Sequence, residues 1–190
     1  MAYPVVMPET GYGLAEKAIL SERLLSSSTL PDVLARPAVV TAAVEPASAK
    51  LHRVAIRKRG AEISVEIQTT VALPLPFLKS IKDIAALLTL PPGWNSYSAK
   101  PIARQNAMRA IGLVWDLLQP GIPAPMVVPR VRGGIQIEWH TEAGDIEIYI
   151  DSPDQISFFA EHVQSGESIE APLAGHEEVL GAWVQRISGK

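Results

Sequence analysis

Four side chains on two neighbouring segments are the strongest candidates for chemistry in this chain: Glu138, His140, Asp145 and Glu147. Ile135, Ile137 and Trp139 alternate with Gln136, Glu138 and His140, and Ile146, Ile148 and Ile150 alternate with Glu147, Tyr149 and Asp151. Each run reads as a strand with one apolar and one polar face. If residues 141–144 form a four-residue loop, Glu138 lies opposite Glu147 and His140 opposite Asp145. Like charges directly opposite are destabilising, so the pairing calls for compensation. A metal ion on carboxylate and imidazole ligands would supply it, and so would a proton shared in an acid–base pair. Arg130 and Arg132 from the neighbouring strand, or a basic partner, would serve equally. A solvated face in another register is the bland alternative. His140 has no second histidine at helical spacing, so no metal is assigned and no cofactor is expected.

A second group, Trp94, Asn95 and Tyr97, falls in a loop between two helices. Aromatic side chains with polar tips suit a binding surface. The structural alternative is that Trp94 and Tyr97 plug the end of a sheet while Asn95 makes a turn. Trp139 and Trp183 sit on apolar stripes and are expected in the core. A third group, Arg53, Arg57, Lys58 and Arg59, could meet phosphate, but Glu62 and Glu66 lie across the same hairpin.

Several reaction classes are excluded outright. The chain of 190 residues has no Cys, which removes disulfides, thiolate metal sites and thiol nucleophiles. It has no G-x-S-x-G elbow, no phosphate-binding G-x-x-x-x-G-K-[ST] loop and no G-x-G-x-x-G after a strand. No basic, apolar leader opens the sequence, and no run approaches the roughly 20 apolar residues of a membrane span. A soluble, cytoplasmic protein with no membrane partner is expected.

Charge is unevenly spread. Residues 1–72 carry 8 basic and 7 acidic side chains, and residues 73–190 carry 9 and 13. Between Gly133 and Gln185 there are 11 Asp and Glu and no Lys or Arg. Such a one-signed surface repels nucleic acid and speeds encounter with a basic protein. The expected partner is therefore a basic protein, with no nucleic acid bound through the C-terminal half.

The elements that must position these groups follow from periodicity and breakers. Residues 1–50 read as a Pro/Ala-rich extension with one helix over 13–25, and Pro31, Pro37 and Pro46 make 30–50 a connector. Residues 51–70 read as a hairpin turning at Gly60-Ala61, with Val54 facing Ile67, Ile56 facing Val65 and Arg59 facing Glu62. Helices are expected over 77–88, 101–119 and 173–187, and strands between 126 and 160. The sum is an α+β domain over 51–190: an antiparallel sheet meander packed against helices, preceded by the extension and the hairpin.

The run Gly93-Trp94-Asn95-Ser96-Tyr97-Ser98-Ala99-Lys100-Pro101-Ile102, then Pro125 and Val127 to Pro129, then Gly133-Gly134-Ile135-Gln136-Ile137-Glu138-Trp139 resembles a family of small, largely uncharacterised bacterial proteins. Their signature is G-W-[DN]-x-Y-x-A-x-P-I, a helix, P-x-V-x-P, and G-G-I-Q-[LI]-E-W, covering about residues 78–160 here. The resemblance implies an accessory component, antitoxin-like or part of a defence module, with no set activity. Asn95 stands where Asp is commoner in that pattern, and an amide cannot act as a general base. The leading expectation is a non-catalytic binding or regulatory protein that contacts a basic partner through Glu138, Glu147 and the 94–97 loop. A small metal- or acid–base-dependent enzyme using Glu138, His140, Asp145 and Glu147 is the alternative, and a structural subunit of a larger assembly the third.

Overall fold

The computed structural model describes residues 3–6, 17–24, 50–58, 61–69 and 71–188. Among the described residues, two antiparallel sheets and three helices make an α+β fold. The first sheet is ordered β1 (Tyr3–Val6), β2 (Lys17–Leu24), β4 (Ala61–Thr69), β3 (Lys50–Lys58). The second is a meander of β5 (Met126–Pro129), β6 (Ile135–His140), β7 (Gly144–Ser152), β8 (Gln155–His162) and β9 (Glu167–Pro172).

The first sheet corrects one expectation. Residues 17–24, expected within a helix over 13–25, form strand β2 and pair along the whole of β4, from Lys17 with Gln68 to Leu24 with Ala61. The unpaired edge of β4 supplies hydrogen-bond partners that a lone helix lacks, and this pairing overrides local helix propensity. The connector over 30–49 lies outside the described residues. The β3–β4 hairpin forms as expected, but its register differs. Val54 pairs with Val65, Ile56 with Ile63 and Lys58 with Ala61, so the connection falls on 59–60 rather than 60–61. The partners shift by two positions, which preserves the faces: Val54, Ile63, Val65 and Ile67 are all buried.

Helix α1 (Leu75–Leu87) starts two residues before the expected 77, because Pro76 fits a first helical turn. Helix α2 (Arg104–Leu117) starts three residues after the expected 101. Lys100 and Ala103 donate their backbone N–H groups to Val131 and Gly133, at 2.8 and 3.0 Å, which holds 100–103 extended. Helix α3 (Glu177–Ile187) likewise starts later than 173. The Leu173 N–H still bonds Ile156 of the sheet, and Gly175 turns the chain at φ +81°.

One continuous core joins these parts. Helix α1 packs Phe77, Ile81 and Ile84 against the hairpin, β5 and α2, with Phe77 edge-on to Trp115 at 4.8 Å. Helices α2 and α3 cover Ile135, Ile137, Trp139, Ile146, Ile148, Ile150 and Phe158, all on one face of the second sheet. Trp139 is buried as expected and donates its indole N–H to Pro123 at 2.9 Å. Trp183 is half-buried with the Arg186 guanidinium over its ring. Among the described residues no helix is long and apolar enough to cross a membrane.

Candidate functional site

Strand pairing places Glu138 opposite Glu147 and His140 opposite Asp145, in the register that a four-residue loop over 141–144 requires. Thr141 holds that loop. Its hydroxyl accepts from the Ala143 and Gly144 N–H groups and lies 2.8 Å from the Ile187 carbonyl at the end of α3. The five strands then present two rows on the face that the helices leave open. Met126, Glu138, Glu147, Phe159 and Glu170 form one row, and His140, Asp145, Glu161 and Ser168 form the next. The residues of both rows are exposed or half-buried, with the Glu138 side chain at 13% exposure less open than its neighbours His140 and Asp145.

The opposed carboxylates are compensated from within the face. His140 sits between two of them, Nδ1 at 2.8 Å from Asp145 Oδ1 and Nε2 at 3.1 Å from Glu138 Oε2. Both contacts are satisfied at once only when both ring nitrogens carry protons. The hydrogen bond to Glu138, and next that to Asp145, therefore hold the His140 pKa above its ordinary value. Glu147 accepts on Oε2 from Gln136 Nε2 at 2.9 Å and from the Tyr149 hydroxyl. Desolvation first, then the bond to Glu147, push the Tyr149 phenol up to about 12. Arg130 turns instead to Asp151, at 3.2 Å, and lies over the Tyr149 ring at 4.7 Å. Among the described residues no three of His, Asp and Glu are grouped to hold a metal ion.

A raised His140 pKa favours the fold below about pH 6.5, and that contribution is lost as pH rises through the folded-state pKa. The His140 side chain is 46% exposed, so solvent screening limits the effect to about 0.5 kcal/mol or less. Proton NMR of the His140 ring is expected to titrate above 6.5 and to move back towards it in Glu138→Gln. A midpoint at or below 6.5 in the unaltered chain would contradict the clamp.

The 93–100 loop divides its three candidate residues between two roles. Trp94 donates its indole N–H to Lys100 at 3.1 Å, and Asn95 Oδ1 accepts from the Tyr97 and Ala99 N–H groups at 3.0 and 3.3 Å. Gly93 at φ +70° and Ser96 at φ +66° make the bend. A non-glycine residue in that region stores strain that surrounding bonds must hold. Trp94 and Asn95 thus pin the loop, and Tyr97 projects from it, 84% exposed. Asn95→Ala is expected to cost about 1 kcal/mol and to speed amide exchange at Tyr97 and Ala99. Unchanged exchange there would contradict the pinning.

Phe159, Glu161 and Glu170 complete the open face and are not singled out by sequence alternation. Phe158 and Phe159 point to opposite faces, and only pairing with β7 sends Phe158 into the core and Phe159 outward. The loop and the carboxylate rows are also not one surface. Backbone bonds tie the loop to the 130–133 turn before β6, whereas Glu138 and His140 lie towards that strand's far end, roughly 13–20 Å along it. No protein-family model, curated protein or solved structure matches this chain, so the resemblance to the bacterial signature rests on its own residues and the site is read from its geometry.

Proposed function

We propose that this chain is a non-catalytic binding or regulatory module whose open sheet face receives a basic protein surface. The observation that carries the reading is the face itself: Glu138, Asp145, Glu147, Glu161 and Glu170 stand on the side of the sheet away from α2 and α3, with His140 the one basic side chain among their rows. Phe159 and Met126 add apolar area within the same rows, the mixture from which protein interfaces are built. A scaffold of paired strands keeps these side chains in fixed register, which favours recognition at little ordering cost. His140 bridges Glu138 and Asp145 while Gln136 and Tyr149 hold Glu147, so the opposed pair is compensated without calling for a reaction. Among the described residues, hollows near 141–143 and near Arg132 are lined by none of the four acid–base candidates. A basic effector in an antitoxin-like or defence pair is a partner of this chemistry, in keeping with the signature.

Affinity capture on the full chain from its cells of origin is expected to return a basic protein. Glu138→Lys/Glu147→Lys should abolish that capture. So should Glu161→Lys/Glu170→Lys, which changes only exposed side chains and leaves the Gln136–Glu147–Tyr149 contacts intact. Capture that is unchanged in both, or an acidic protein retained in place of a basic one, would overturn the reading.

A further inference from the structure

The loop end of the molecule is the charge complement of the open face. From Ile84 to Ile137 the chain carries Lys100, Arg104, Arg109, Arg130 and Arg132 against a single acidic residue, Asp116. Of these, the fold sets Lys100 and Arg132 at the loop end, while Arg109 lies near Asp116 and Arg130 pairs with Asp151. The Lys100 N–H reaches Val131 and the Ala103 N–H reaches Gly133, which sets the 93–100 loop against the turn bearing Val131 and Arg132. The approach is close, since a Cβ on Gly133 would stand 2.8 Å from the Pro101 carbonyl. Tyr97 at 84% and Val131 at 55% exposure stand on this end beside Lys100 and Arg132, neither of which forms an ion pair among the described residues. Its carboxylates are Asp151, already held by Arg130, and Asp154 in the following turn. A hollow of about 520 Å³ bounded by Arg132, Asp151 and Gln155 lies beside the turn.

We infer that the loop end docks on the open face of a second copy of this chain. The inference rests on the open face being a site for basic surfaces and names one such surface. Both patches have the same make-up with opposite sign: Tyr97 and Val131 among cations on one, Phe159 and Met126 among carboxylates on the other. Apolar groups meet apolar groups while Lys100 and Arg132 meet Glu161 and Glu170. The two patches lie too far apart on one molecule to meet each other, so the contact is between molecules. It joins different surfaces, so it is heterologous and leaves one free patch at each end of any assembly. Nucleic acid is the poorer occupant of the loop end, since among the described residues Tyr97 is the one large aromatic exposed there and single-strand binding uses successive stacking residues.

Sedimentation velocity over a concentration series is the test. At low salt the wild-type mass should grow with concentration beyond the dimer, and about 0.5 M NaCl should return it to monomer by screening. Lys100→Glu/Arg132→Glu and Glu161→Lys/Glu170→Lys should each be monomeric alone and should associate again when mixed. A wild-type chain that stays monomeric at low salt overturns the inference. If that chain still captures a basic protein through Glu161 and Glu170, only the second-copy docking fails and the face keeps its function. Association that survives both double substitutions overturns the assignment of surfaces. Oligonucleotide binding lost in Lys100→Glu/Arg132→Glu, with no self-association, would overturn it in favour of nucleic acid at the loop end.

Discussion

Gly144→Ala is expected to destabilise the fold by at least about 3 kcal/mol and to lower the melting temperature by roughly 6–12 °C. A Cβ at this position would stand 2.0 Å from the Glu161 carbonyl oxygen and 3.0 Å from its carbon. Both are backbone atoms of β8, paired to β7 on either side of the contact, so no side chain can swing away to make room. Separating the strands would break the Asp145–Glu161 and Ile146–Ala160 register that supports both carboxylate rows. The fitting control is Gly181→Ala in α3, where an added Cβ meets nothing within 4 Å. In a helix that change should be neutral or stabilising by up to about 1 kcal/mol. Thermal melts of the two variants should therefore move in opposite directions or differ by many degrees. Equal melts would contradict the close approach of β7 and β8.

Asn106→Leu is expected to cost about 1–3 kcal/mol, although the two side chains are close in size. Asn106 is 3% exposed, on the face of α2 that meets the sheet. Its Nδ2 donates to Gly133 at 3.0 Å and to Asp151 at 3.2 Å. Leucine would take the Asn106 donor from the Asp151 carbonyl and leave the buried Gly133 carbonyl with the Ala103 N–H alone. Those carbonyls belong to the turn before β6 and to the end of β7, so this one amide fixes both where the sheet meets the 93–100 loop. Urea unfolding should show the loss as a lower midpoint with an unchanged slope. A cost under about 1 kcal/mol would mean that these carbonyls find other donors.

The second sheet was legible where a rule fixed both period and loop length. Alternation through 135–140 and 146–151, with a four-residue loop between, determines that Glu138 meets Glu147 and His140 meets Asp145. The resolution of that conflict was not legible, because it depends on Gln136 and Tyr149 reaching Glu147 and on His140 bending between strands. Helix starts at Pro101 and Leu173 failed for one reason: backbone N–H groups there are claimed by Val131, Gly133 and Ile156, partners distant in sequence. Strand β9 gave little signal, since only Ile169 and Ala171 turn inward and Pro172 ends it. Residues 17–24 carry helix-forming side chains, and only the free edge of β4 makes them a strand. Tyr97 was found as a candidate by type, whereas the split between Tyr97 and its pinning neighbours Trp94 and Asn95 needed the loop's hydrogen bonds. Charge arithmetic on the C-terminal half pointed to a basic partner, but it did not separate the basic loop end from the acidic face.

The central claim, that the open sheet face recognises a basic protein, is tested most directly by association kinetics. The partner retained by the unaltered chain is purified, and its association rate is measured against ionic strength for the wild type and for Glu161→Lys/Glu170→Lys. Steering by an acidic face predicts a wild-type rate that falls steeply with added salt, and a variant at least about tenfold slower at low salt with the slope flattened or reversed. Equal rates and equal salt dependence for the two chains would contradict it.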